Sequence, residues 1–392
     1  MKRIYTLLLL ILMVLLILFR VIRYRKYTNN LTLDEKIEKI MENMSIEEKI
    51  AQMLIIYHPS DKIDDNLIGL LKNTPPGGFI IGNSNITTYD KTLQYINDLK
   101  KYSDIPLIIS INEEGSTIQQ LSYLKDINPI NIPDMYYIGK TNNTKLSYRV
   151  GKVLAQKLKT LGINVIYAPV VDINSNPNNI RLGTRSFGNN SKLVSNMALN
   201  LIDGLENNNV ISTIKHFPGH GDTINTSNSP FPIINKTYNQ IKNEELIPFE
   251  DAIEHNIKLI MVAHIALPSL TGNNTPASLS KEIVTDLLKT KMNYKGLIIT
   301  DSLTRNNLIN TYTEEQIYTM AINAGNDLLL MPQNYNNAIK YIKDNISEER
   351  IDESVRKILK FKYTYLIYNN TLDKSYLNNQ EQQSIISQIP IK

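Results

Sequence analysis

The chain has 392 residues, 42% of them hydrophobic, enough for one large folded domain or two ordinary ones. Its formal charge of +4 comes from one end. Residues 1–30 hold Lys2, Arg3, Arg20, Arg23, Arg25 and Lys26 and no acid; the remaining 36 basic residues face 38 acidic ones, so the body is not a basic nucleic-acid surface. The absence of cysteine excludes disulfides, thiolate catalysis and zinc–thiolate sites.

Leu7–Phe19 is an unbroken apolar run, and Tyr5–Ile22 extends it with one Arg. As a helix, that stretch spans about 27 Å, just enough for a bilayer if Arg20 snorkels. No small-residue cleavage site follows, so residues 1–30 are expected to be an uncleaved, single-pass membrane anchor with a basic flank.

Beyond a short linker, Asp34–Asn43 and Ile46–Gln52 read as helices, the second capped by Ser45 with Glu48 three residues on. Eight short apolar runs then alternate with amphipathic helical stretches. They are Met53–Tyr57, Gly78–Ile81, Leu107–Ile111, Val165–Val171, Ile211–Phe217, Leu259–Ile265, Leu297–Thr300 and Asp327–Met331. Bounded Ile/Leu/Val-rich runs are the pattern of buried parallel strands. Eight of them with intervening helices predict an α/β fold, a (β/α)8 barrel over residues 31–368. A doubly wound sheet would call for a Gly-rich phosphate loop after the first strand, and none is present. Glu348–Tyr365 reads as the closing helix and residues 369–392 as a polar tail.

Polar residues gather where the runs end: Asn112-Glu113-Glu114, Asp172, Lys215-His216, His264 and Asp301. In a barrel those ends converge on one face, where the chemistry sits.

Lys215-His216-Phe217-Pro218-Gly219-His220-Gly221-Asp222-Thr223 resembles the signature of glycoside hydrolase family 3, in the branch of NagZ-type bacterial β-N-acetylglucosaminidases. Ser45–Leu54, Ala168–Asp172, Arg185–Gly188, Ala263-His264-Ile265, Gly296–Asp301 and Ala324–Asp327 match the family in order. The resemblance implies a barrel and a retaining hydrolase that removes terminal β-linked N-acetylglucosamine from cell-wall glycans or muropeptides. It makes Asp301 the nucleophile, since a carboxylate can attack the anomeric carbon and form a glycosyl-enzyme. It makes Lys215, His216 and Arg185 substrate-binding residues. Their competing readings are a Lys paired with a barrel carboxylate and an Arg bracing a loop. His264 could line the pocket or be a hydrogen-bonded structural His. No metal or organic cofactor is implied. Wall-derived substrates place the barrel outside the membrane, whereas the positive-inside rule slightly favours a cytoplasmic body.

The chain departs from the family at two places. Thr226-Ser227-Asn228 stands where the pattern is Asp-Ser-His, so Asn228 and Thr226 occupy the positions of a lost His/Asp acid/base dyad. Asn exchanges no proton near neutral pH. After the third strand, Asn112 replaces a sugar-binding Asp, and Thr117 and Gln120 replace two Arg; Asn112 and Gln120 remain substrate-binding candidates. Three readings follow. The first is a hydrolase with a substitute acid/base, for which His220, Asp222 and Glu114 are the candidates, or an impaired one with none. The second is a non-catalytic glycan- or protein-binding pseudoenzyme at the membrane. The third is a purely structural membrane protein.

Overall fold

The computed structural model describes residues 31–224, 229–367 and 371–391. The chain divides into two compact units, residues 1–44 and 45–392. In the first, Leu33–Glu42 is a helix. Its Thr32 hydroxyl accepts from the Glu35 amide while the Glu35 carboxylate accepts from the Thr32 amide, which satisfies two otherwise orphaned donors.

The second unit opens with the helix Ile46–Gln52, whose Ser45 and Glu48 form the same reciprocal cap. Eight parallel strands follow: β1 (Leu54–Ile56), β2 (Gly78–Ile81), β3 (Ile108–Ile111), β4 (Val165–Ile166), β5 (Ile211–Phe217), β6 (Leu259–Val262), β7 (Leu297–Thr300) and β8 (Leu329–Leu330). Each pairs with its chain neighbour. Leu54 opposite Leu329 joins β1 to β8, and a bridge from Ile299 to Leu328 joins β7 to β8, so the sheet closes into the expected barrel. Nearly every strand residue is buried, because helices cover the outer face and side chains fill the inner one.

Several runs are cut short, among them Leu259–Ile265, a strand only to Val262, and Asp327–Met331, a strand only over Leu329–Leu330; Val165–Val171 loses most. Val165–Val171 pairs as a strand only over Val165–Ile166, and Val170 meets Lys215 in an isolated bridge. Pro169 between them offers no N–H to the ladder. The polar tail also has structure of its own. Lys374–Leu377 and Gln380–Ile386 are helical, and Leu377, Ile385 and Ile389 are buried with the core. The Ile130 amide donates to the Leu377 carbonyl at 2.7 Å.

The membrane expectation is corrected. Among the described residues no helix is long and apolar enough to cross a membrane, and the Tyr5–Ile22 run lies outside them. The anchor, and the extracytoplasmic placement built on it, are therefore withdrawn.

Lys362, in the helix Glu348–Tyr365, is fully buried and donates to Gln52 Oε1 at 2.6 Å. Burial pulls its ammonium from an ordinary 10.5 down to about 7. A depressed Lys leaves the unfolded chain holding more protons between pH 7 and 10.5, so this group makes stability rise with pH there. Lys362→Met removes the titration. Between pH 6.5 and 9.5 the unfolding free energy of the unmodified protein is expected to gain on that of the variant by roughly 2–4 kcal/mol. Urea titrations at the two pH values measure it, and a constant difference would show that Lys362 titrates normally.

Candidate active site

The ends of the strands open into a cavity of about 470 Å³. Its wall includes Asn112, Glu114, Gln120, Asp172, Arg185, Lys215, His216, His220, His264 and Asp301. The barrel thus brings together candidates that lie up to 189 positions apart, from Asn112 to Asp301. Thr117 is not in the wall. Its amide and hydroxyl both donate to Asp134, at 2.8 and 2.6 Å. Thr226 and Asn228 lie outside the described residues.

Glu114 is the hub. It sits on Glu113–Gly115, the first arm of a small antiparallel hairpin after β3. Alternation along that arm sends Glu113 to buried Lys157 at 2.7 Å and leaves Glu114 for the cavity. Arg185 grips Glu114 with a two-pronged contact, Nε to Oε2 at 2.6 Å and Nη2 to Oε1 at 2.8 Å. Lys215, from β5, reaches Oε1 at 2.5 Å and Asn112 Oδ1 at 3.1 Å. Burial opposes the Glu114 charge, but Lys215 and Arg185 outweigh it and hold the carboxyl at about 2. Glu114 is therefore ionised and doubly clamped, which removes it as a neutral-pH proton donor.

The signature after β5 is shaped by backbone needs. Gly219 has φ of +118°, and a Cβ on Gly221 would lie 1.6 Å from the Ile173 carbonyl oxygen. This bend lets buried Asp172 accept from the His216 and His220 amides at 3.1 and 2.7 Å, and from His216 Nδ1 at 2.7 Å. Nδ1 therefore carries the proton. His220 Nδ1 lies 2.9 Å from the Thr223 hydroxyl. Burial and the His216 charge lower His220 to about 4, so it is neutral near pH 7. Asp222 turns away and pairs with Lys236 at 3.2 Å, and it is not in the cavity wall.

Asp301 follows β7, its amide donating to the Val262 carbonyl at 2.8 Å. Oδ1 accepts from the Ser302 amide at 2.7 Å and lies 3.6 Å from Arg305. Burial works against its charge. The Arg305 charge and the Ser302 amide prevail, and the carboxyl stays well below the usual range. His264 Nε2–H donates to the Ser302 carbonyl at 3.0 Å, and Nδ1 meets the Ser278 hydroxyl at 2.6 Å. Burial keeps this imidazole neutral. Nε2 holds the turn after Asp301, while Nδ1 ties the ring to Ser278. The arrangement offers an ionised, rigidly placed carboxylate beside a cluster of hydrogen-bond donors, which suits attack on a polar, electrophilic carbon.

Residues 45–361 match the model of the glycosyl hydrolase family 3 N-terminal domain. The chain belongs to glycosyl hydrolase family 3. Within family 3 its relatives include β-hexosaminidase A of Pseudoalteromonas piscicida, 32% identical over 276 residues, or 65% of this chain and 46% of that one. A β-hexosaminidase of Haemophilus influenzae is 28% identical over 71% of this chain and 78% of its own length. The solved family 3 β-N-acetylglucosaminidase of Paenibacillus sp. str. FPU-7 superposes with a TM-score of 0.81 at 28% identity, covering 88% of this chain and 68% of that one. The chain thus spans about half the length of the Pseudoalteromonas relative.

The family motif Ala324–Asp327 turns out to be architectural. Asp327 is fully buried, accepts from the Ile298 amide at 3.1 Å and pairs with Lys357 at 2.7 Å. Two charged wall residues are not among the candidates from sequence, Arg181 and Arg305. Arg305 carried a usable signal, since it stands four residues after Asp301. Arg181 lies in an irregular segment without any periodic signal.

Proposed function

We propose that this chain is a β-N-acetylhexosaminidase-type protein that accepts terminal N-acetylglucosamine and reacts by a retaining route with Asp301 as nucleophile. The observation that carries this reading is the placement of ionised Asp301 at the end of β7, in one cavity with the Lys215–Glu114–Arg185 cluster. Lys215 and Arg185 keep donors beyond those given to Glu114, and His216 is oriented by Asp172, so these three are the proposed sugar-hydroxyl contacts. Relatives named as β-hexosaminidases support the substrate class.

Catalysis is impaired in this reading, because Thr226 and Asn228 supply neither proton donor nor counter-ion. An activated aryl β-N-acetylglucosaminide, whose leaving group needs no proton, is expected to give a burst of one aryl group per chain and then stall. Azide, which needs no base, should restart turnover, and Asp301→Ala should abolish both burst and restart. Ordinary rates on muropeptides would show that another group supplies the proton. The same two residues favour a second reading, a glycan-binding pseudoenzyme, which predicts muropeptide binding with no burst at all.

A further inference from the structure

Asp134 stands at the N-cap of the short helix Met135–Lys140, yet its side chain accepts from no amide of that helix. An Asp in that place ordinarily accepts from the second or third helical N–H. Here the residue is buried and both oxygens are turned to other segments. Oδ1 accepts from the Thr117 amide at 2.8 Å, and Oδ2 from the Thr117 and Thr184 hydroxyls at 2.6 and 2.5 Å. Thr117 lies in the turn of the hairpin that carries Glu114, and Thr184 precedes Arg185 in the 3-10 turn Gly183–Arg185. Neither element is firm by itself. In the hairpin Glu113 faces Gln119 and Gly115 faces Ile118, so Glu114 is the extra, unpaired residue of a bulge. A two-stranded hairpin alone is marginal in water. The backbone of the Asp134 segment fits closely against both elements. A Cβ on Gly115 would lie 3.0 Å from Asp134 Cα, and one on Gly139, in the helix that Asp134 opens, 1.8 Å from the Phe187 carbonyl oxygen.

We propose that Asp134 is a positioning residue: it ties the hairpin of Glu114 to the turn of Arg185 and so sets the geometry of the ion pair that meets the sugar. This rests on the sugar-binding reading of Arg185 and Lys215 above. Bulges beside active sites re-aim a side chain. The new direction holds only while the residues on either side of the bulge are fixed. Glu113, on one side, is fixed by Lys157 at 2.7 Å. Gly115 to Thr117, on the other, are fixed by Asp134. The two-pronged grip of Arg185 on Glu114 needs both carboxylate oxygens in line with the guanidinium fork, so a slip of either element breaks one prong. The donors that Arg185 keeps for the sugar then lose their aim. Thr117 also gains a role where the family pattern has an Arg, because its short hydroxyl is an anchor for the hairpin rather than a ligand contact. Contacts to sugar hydroxyls form before the reaction and persist through it, so loosening them raises half-saturation and leaves the maximal rate nearly unchanged.

The test uses the full chain and 2,4-dinitrophenyl β-N-acetylglucosaminide, and follows the rate of the aryl burst against substrate concentration. Asp134→Ser keeps a favoured N-cap residue but is too short to reach Thr184. Thr184→Val keeps the shape and removes the hydroxyl. Each is expected to raise the half-saturating concentration roughly ten-fold, the size of coupling within one hydrogen-bonded network, with the maximal burst rate held within about two-fold. The two together should do no worse than Asp134→Ser alone, because they cut the same tie. A merely structural Asp134 would lower the melting temperature and leave the half-saturation of the folded protein where it was. Half-saturation unchanged in both variants therefore overturns the positioning role and leaves the proposed function standing, as does a double variant whose effect is the product of the two singles. If Asp134→Ser does not fold, Thr184→Val decides alone. An unmodified chain that gives no burst overturns this inference together with the function on which it rests.

Discussion

The double substitution Thr226→Asp with Asn228→His is expected to raise hydrolysis of unactivated β-N-acetylglucosaminides by about 10²–10⁴-fold, the usual worth of general acid–base catalysis. The described residues on either side of this segment support the expectation. Ile224 and Ile233 exchange backbone hydrogen bonds at 3.0 and 2.9 Å, and Thr223 is held by Asn176 and Asn179 at 3.1 and 3.2 Å. Pro230 and Pro232 stand in the cavity walls. The described ends of the segment thus flank the Asp301 pocket. The restored His supplies a proton to the departing oxygen and then activates water, while the Asp orients the ring and stabilises its charged form. Rates on a poor leaving group should rise more than on an activated aryl one, because only the former depends on protonation. The bell-shaped pH profile that two catalytic groups produce should also appear. Adding Asp301→Ala to the restored protein should remove the gain. A restored protein that stays inert, with no burst on aryl substrate, would leave Asp301 without a catalytic role.

The barrel and the places of its polar residues were legible because both depend on local pattern. Each strand is a short buried run, and Asp301, Lys215 and His264 stand just where a run ends, so position along the chain translates directly into position on one face. Pairing is a different matter. That Arg185 and Lys215 meet on Glu114, 71 and 101 residues earlier, has no signature in periodicity or spacing, so the sequence offers Glu114 as a proton donor where the structure has a clamped anion. The sequence allows His264 two roles, and its contacts with Ser278 and Ser302 separate them. The tail is hidden for a related reason: Leu377, Ile385, Ile386 and Ile389 pack against the core, and a polar composition averages them away.

Glu114→Gln is expected to damage stability and chemistry together, because it removes a charge while leaving the volume intact. Lys215 and Arg185 would then sit side by side in a buried site with no anion between them. Removing one partner of a buried ion pair costs about 3–5 kcal/mol, most of it the penalty on the charge left behind. The outlet open to the protein is loss of the Lys215 proton, since burial and the Arg185 charge already pull that ammonium down and Glu114 is the main opposing influence. Without that proton Lys215 loses a charge-assisted contact to the sugar, so burst formation on an aryl substrate should fall by about 10²-fold. The pH dependence carries the sign of a depressed carboxyl. Glu114 goes from an ordinary 4.5 to about 2, so its stabilisation is complete above pH 4.5 and is lost as pH falls towards 2. The contribution lost across that window is on the order of 3 kcal/mol. Acid destabilisation should therefore be shallower in Glu114→Gln than in the unmodified protein, even though the variant is the less stable of the two at pH 7. Urea unfolding at pH 7 and pH 3 reads both effects in one experiment. Parallel acid profiles, with unchanged stability at pH 7, would show that the clamp around Glu114 contributes nothing to holding Lys215 and Arg185 in place.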